Sequence, residues 1–224
     1  MVSQTDRSPN PMVEGRPLLV GLTGGIGAGK SAALAMFAEL GAVTIDSDEV
    51  ARQVTARGTA GFAAVLKEFG PEYLDPTGEI DRRRLAGLVF SDPAARRRLE
   101  AIVHPLVRAD IRRQIAALPP SAIVVNAVPL LVEAGLVHDY DRIVVVESPP
   151  HLRLQRLEAR GLSRAEALAR MAAQADDAAR RAVAWRVVVN DGSLDTLRQR
   201  VRSVWLELRN QAQGGGAETP DFSA

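Results

Sequence analysis

The 224-residue chain contains no cysteine, which excludes disulfides and thiolate-bound metal centres. It contains no run close to the ~18 uninterrupted apolar residues that a membrane helix needs. The opening MVSQTDRSPNPMVEG has no apolar segment of the kind that marks an export signal. A cytoplasmic protein with no membrane partner is expected. Neither sign of charge is in excess, with 28 basic and 27 acidic residues. Non-specific nucleic-acid binding needs a clear cationic surplus, so no nucleic-acid partner is expected either. There is no internal repeat, and lysine is scarce beside arginine. A monomer is slightly favoured, although no residue pattern fixes the oligomeric state.

The apolar share of 46% and charged share of 25% are those of a globular protein. This length suits one core with an insertion, or two small domains. Residues 1–16 and 211–224 are polar or glycine-rich and are expected to be disordered. Short runs rich in valine, isoleucine and leucine lie at 17–22, 42–45, 122–128, 142–146 and 186–189. They lack polar alternation, as strands buried on both faces of a parallel sheet do. Helical patterns fall at 30–40, 48–55, 60–69, 81–90, 93–117, 150–160, 164–173, 177–183 and 194–209. In the last of these, Leu197, Val201, Val204, Leu206 and Leu208 are expected near one face. The order predicts an open α/β sheet, mainly parallel and flanked by helices. The helical stretch from about 48 to 118 is too long for a crossover and predicts an inserted subdomain.

Gly24 to Ser31 reads GGIGAGKS and fits G-x-x-x-x-G-K-[ST] at every fixed position. Glycines let the backbone curl until successive N–H groups point inward as a nest for phosphate oxygens. The helix opening near Lys30 adds the positive end of its dipole. Lys30 can reach β- and γ-phosphates, and the Ser31 hydroxyl can bind Mg²⁺. Glycine-rich turns before helices are common, but this one follows a predicted strand. The nucleotide contacts expected are Gly25, Ile26, Gly27, Ala28, Gly29, Lys30, Ser31 and Ala32. An N-K-x-D base-reading motif is absent, as is a strand ending in Asp-Glu, so GTPases and ABC-type ATPases are disfavoured.

After the loop helix comes AVTIDSDEVARQV. If the strand stays extended past Ile45, Asp46 and Asp48 project to one side, beyond the carboxyl end where ligands bind. One could accept a hydroxyl proton and the other support the metal shell. Helix capping is the competing reading for either residue, and both roles can coexist.

GLTGGIGAGKS, IDSDEVARQV, HPLVR (His104–Arg108) and VPLLVEAGL (Val128–Leu136) together resemble the dephospho-coenzyme A kinase family. The likeness runs through RIVVVESPPHLRLQRLEARGLSRAEALARMAAQ (Arg142–Gln174) and weakens near VVNDGSLDTLR (Val188–Arg198), covering about 17–208. It implies a P-loop NTPase fold with a domain over 17–210, a substrate-binding insertion at about 48–118 and a helical lid at about 150–183. It also implies transfer of the ATP γ-phosphate, with Mg²⁺, to the 3′-hydroxyl of the ribose of dephospho-CoA, the last step of coenzyme A biosynthesis.

By that resemblance Asp48 activates the acceptor hydroxyl, with Asp46 and Arg52 in support. His104 of the HP motif is either structural or a substrate contact. Leu130 and Leu131 offer apolar contact or ordinary core, with Leu130 favoured for substrate, and Glu133 is a polar partner. Arg153, Arg156 and Arg160 are spaced to share one helix face, which is usually a solvated stripe. Within the lid segment Arg156 is expected to reach the ATP phosphates, and Arg160 either contacts nucleotide or holds the lid shut. Asn190 and Gly192 match the family's adenine-edge segment, while Val189, Trp185 and Arg186 depart from it. Another nucleoside or nucleotide kinase of this architecture is the rival reading. A non-catalytic ATP-binding regulator is a further one, disfavoured because Lys30 and Asp48 are present.

Overall fold

Residues 15–213 are described in a computed structural model, so the expected disorder of 1–14 and 214–224 lies outside them. Five strands, Leu18–Thr23 (β1), Val43–Asp46 (β2), Ile123–Ala127 (β3), Arg142–Glu147 (β4) and Arg186–Val189 (β5), form one sheet in the order β2-β3-β1-β4-β5. The registers of β1 with β3, β1 with β4 and β4 with β5 are all parallel. β3 and β4 are buried along their whole length. That explains their unbroken Val and Ile content, because both faces of a central parallel strand are covered.

The chain divides into two compact units, one of residues 1–44 with 119–224 and one of 45–118. In the first, Lys30–Glu39 (α1) and Leu194–Ala212 (α9) cover one sheet face. Met36, Phe37, Leu197, Val201, Val204, Trp205 and Leu208 pack there on Leu18, Val20, Leu22, Val144 and Val146. Leu206 does not join them and is 49% exposed, with Trp205 in the core instead. At about 100° per residue, position 205 falls beside 197, 201 and 208, while 206 has turned away. On the other face Leu131, Ile143 and Val145 form a smaller cluster with Tyr140 and Val183. Residues 211 and 212 continue α9, so that helix reaches past the expected onset of the tail.

The rest of this unit comprises Pro150–Glu158 (α6), Arg164–Ala172 (α7) and Asp177–Val183 (α8). α6 stops at Glu158, short of the expected 160. Gly161, at φ +89°, takes the left-handed conformation, and its N–H donates to Glu158 O while Leu162 N–H donates to Leu157 O. This paired closure of a helix end requires a residue that tolerates positive φ. Leu162 packs with Leu154 and Leu157 to complete it.

The second unit holds Ser47–Val54 (α2), Ala60–Phe69 (α3), Arg82–Ser91 (α4) and Pro93–Ala116 (α5). Side chains of Asp46, Thr59, Asp81 and Asp92 cap the four helices in turn. Val65, Phe69, Ile80, Leu85 and Ala95 form its core. Among the described residues no helix is long and apolar enough to cross a membrane.

Arg16, expected within the loose extension, is instead held by Asp141 through Oδ2 at 2.9 Å and Oδ1 at 2.5 Å. The same carboxylate, on a residue 6% exposed, accepts the Leu19 N–H at 2.8 Å. Asp141→Ala strands that N–H at the start of the central strand β1 and should lower stability by about 2 kcal/mol, read as a shifted urea midpoint with an unchanged slope.

Candidate active site

The loop between β1 and α1 is shaped by where its carbonyls go. Ile26 O accepts from Arg153 Nε at 2.9 Å. Gly27 O accepts from an Arg156 guanidinium nitrogen at 3.1 Å, and the same nitrogen lies 3.4 Å from Ala28 O. Ala28 O also accepts from Asn190 Nδ2 at 2.8 Å. Three successive carbonyls are therefore drawn towards α6 and the end of β5. Within the loop Ala28 N–H closes a turn on Gly25 O at 3.0 Å. The N–H groups of Gly27, Gly29 and Ser31 donate to no described residue. Gly29 caps α1 without a side-chain hydrogen bond, so no cap side chain occupies the amides of the first turn. Open amides at a helix N-terminus make an anion site.

Gly29 sits at φ +100°, and a Cβ there would strike Asn190 Nδ2. Gly25 leaves room for the Arg153 guanidinium, which a Cβ would overlap. Arg153 is 5% exposed. Burial pushes its guanidinium pKa down, and Asp177 at 3.3 Å opposes that shift. Ser148 Oγ accepts from that same Arg156 nitrogen at 2.9 Å, and Asn190 O accepts from the other terminal nitrogen at 3.2 Å. Glu147, at the end of β4, holds Arg181 at 2.6 and 2.5 Å.

These positions revise several expectations. Arg156 does not project as a free phosphate ligand; it grips the loop from behind. Asn190 likewise fixes the loop through Ala28. Because α6 ends early, Arg160 lies in the turn beyond it and does not continue a face with Arg153 and Arg156. It is exposed and its guanidinium bonds to no described residue. Glu133 accepts from Ala175 N–H at 2.8 Å and Arg180 at 3.0 Å, so one of its oxygens serves the chain and not a ligand. Leu131 is fully buried and is core, whereas Leu130 is 49% exposed. Ser31, exposed at the head of α1, shows no hydroxyl partner among the described residues. No described residues form a cluster of His, Asp or Glu that could hold a metal by themselves. A single hydroxyl suits Mg²⁺, which keeps much of its shell as water and phosphate oxygen.

In the second unit Asp46 is the α2 cap, its Oδ1 accepting Asp48 N–H at 2.9 Å and Glu49 N–H at 3.4 Å. The strand ends at Asp46, so Asp48 belongs to the first helical turn and the two carboxylates do not alternate along one strand. Asp48 is exposed and no described residue bonds to its carboxylate. Arg52, one turn on, pairs with Glu49 at 2.8 Å. His104 is exposed on α5, in a groove of about 300 Å³ with Arg97, Pro105 and Arg108.

The departures near β5 also find partners. Trp185 carries Arg186 over its ring at 4.6 Å and Arg142 at 5.9 Å. Asn126 donates to Tyr140 Oη at 2.8 Å, and burial pushes that phenol up to about 12. The loop-gripping role of Arg153 and the contact of Gln174 Oε1 with Ile26 N–H at 2.7 Å were not foreseen. Arginine spacing gave a signal for the first; nothing distinguished Gln174.

Gly29→Ala combines backbone strain with a clash on Asn190, each a matter of about 1–3 kcal/mol. Calorimetric titration of ATP into this variant should show binding at least about tenfold weaker.

A dephospho-CoA kinase family model matches residues 18–196. The chain is 57% identical to a dephospho-CoA kinase of Frankia casuarinae, over 84% of this chain and 82% of that one. A Streptomyces avermitilis dephospho-CoA kinase is 48% identical, over 89% and 98%. Among solved structures, a Thermus thermophilus protein aligns with a TM-score of 0.75 at 37% identity, covering 86% of this chain and 98% of its own. Dephospho-CoA kinase from Campylobacter jejuni aligns at 0.64 and 26%, covering 88% and 98%. With a phosphate-binding loop of this geometry and relatives of this closeness, the chain belongs to the dephospho-CoA kinase family, and is a P-loop kinase.

Proposed function

We propose that the protein transfers the γ-phosphate of ATP to the 3′-hydroxyl of the ribose of dephospho-CoA, giving coenzyme A and ADP. The observation that carries this reading is the loop with its carbonyls pulled back and its amides open at the head of α1. The relatives, which are dephospho-CoA kinases, point to the acceptor. Completion of coenzyme A in the cytoplasm is the corresponding cellular setting.

The loop amides and Lys30 hold the triphosphate, and Ser31 is the protein ligand for Mg²⁺. When bound, that ion neutralises charge on the phosphate oxygens. Asp48 takes the proton of the acceptor hydroxyl; its support is an exposed carboxylate engaged by no described residue, while Asp46 is occupied as a cap. Arg52, His104 and Leu130 are proposed acceptor contacts, of which Leu130 has the exposed apolar surface such a role needs. Arg160 is retained as a nucleotide contact because its guanidinium is exposed and bonds to no described residue.

Release of ADP should be followed with ATP–Mg²⁺ and dephospho-CoA, adenosine, AMP, pantothenate or no acceptor. Turnover confined to dephospho-CoA, with product bearing a 3′-phosphate, is expected. Turnover with AMP or adenosine instead would overturn the substrate, and silence with ATP still bound would overturn the enzyme. Lys30→Ala should lower kcat/KM for ATP by about 10²–10³-fold. Asp48→Asn should keep ATP affinity and lose about 10²–10⁴-fold in turnover; near-normal turnover would remove Asp48 as the base.

A further inference from the structure

The segment joining α7 to α8 is fixed to the phosphate loop by one neutral side chain. Gln174 Oε1 accepts the Ile26 N–H at 2.7 Å. Because Ile26 presents an N–H, the amide must offer its oxygen there, and chemistry alone orients the group. Its Nε2 is then a side-chain donor with no partner among the described residues, only an amide's width from the loop. Ile26 is held at its other end too, by Arg153 Nε on its carbonyl at 2.9 Å.

Ala175, next to Gln174, is clasped through both its N–H and its carbonyl. Ala175 N–H donates to Glu133 Oε1 at 2.8 Å, and Ala175 O accepts from Arg180 at 2.6 Å. Arg180 is 1% exposed and donates a further bond to the same Glu133 oxygen at 3.0 Å. A buried guanidinium ordered by a carboxylate is costly to displace. The turn therefore cannot drift while this clasp is intact, and Gln174 is presented at a set position. An uncharged amide suits this place. It holds an N–H of a loop built for anions without adding a competing negative charge.

We infer that Gln174 is a nucleotide-binding residue whose Nε2 donates to the triphosphate, and that Glu133 is a positioning residue for it. Glu133 then acts on the nucleotide side of the reaction and not on the acceptor. This rests on the nucleotide-binding reading of the loop. A purely structural Gln174 needs only its oxygen, which glutamate also supplies; a donor to phosphate is replaced in glutamate by a repelling charge.

The test is calorimetric titration of ATP–Mg²⁺, without acceptor, into wild-type protein, Gln174→Glu, Gln174→Met, Glu133→Ala and Glu133→Gln, with melting temperatures alongside. Gln174→Met should bind ATP about five- to tenfold more weakly, the effect of one hydrogen bond. Gln174→Glu should bind more weakly still while melting near wild type. Glu133→Ala should weaken ATP binding, and Glu133→Gln, which keeps the acceptor for Ala175, should restore most of it. In turnover with dephospho-CoA, Glu133→Ala should raise KM for ATP and leave KM for the acceptor within about twofold. Wild-type ATP affinity in Gln174→Glu would overturn the donor role. A Glu133→Ala effect confined to acceptor KM would overturn the positioning role. Failure of the wild-type protein itself to bind ATP would overturn the nucleotide reading, a result distinct from either.

Discussion

Three consecutive carbonyls turned to one side shape the phosphate loop. A peptide plane cannot rotate its C=O without carrying the next N–H the other way. By holding Ile26, Gly27 and Ala28 oxygens from behind, Arg153, Arg156 and Asn190 leave amides of the loop and of the α1 head for an anion. Gly25 and Gly29 matter because these donors must come close. A side chain at either place would occupy the space of Arg153 or Asn190. The binding loop is thus a product of its supports as much as of its own glycines.

The scarcity of lysine beside arginine has a physical reading in the first unit. Arg153, Arg156 and Arg180 each distribute several donors to backbone carbonyls or carboxylates. A planar fork can satisfy such divergent partners at once, whereas an ammonium group is a point charge. Burying Arg153 and Arg180 carries a desolvation penalty, offset by Asp177 and Glu133. These carboxylates tie α6, α8 and the turn after β3 into one supported assembly around the loop.

The sheet and most helices were legible in the sequence because their signals are local: valine-rich runs, caps and periodic apolar positions. The phosphate loop was legible for the same reason, since all its fixed residues are contiguous. Where the reading went astray, the deciding fact was one residue wide or lay far away in sequence. Whether the strand yields to helix at Asp46 or two residues later decides which aspartate caps, and Asp46 won through its bonds to two amides. Gly161 ended α6 before Arg160, breaking a spacing that looked like one face. The partners of Arg156 and Asn190 are backbone carbonyls, which every residue possesses, so composition and spacing could not announce them. Glu133 matched a motif, yet its partners Ala175 and Arg180 come from over forty positions away.

The central claim is that the loop is held in its anion-binding form from behind. Titrating ATP–Mg²⁺ calorimetrically into Arg156→Ala, with the melting temperature measured in parallel, tests it most directly. The account predicts affinity lower by at least about tenfold, since several hydrogen bonds from a charged donor are lost, in a protein that still melts cooperatively. Wild-type affinity in that variant would contradict it, and would return the shaping of the loop to its glycines alone.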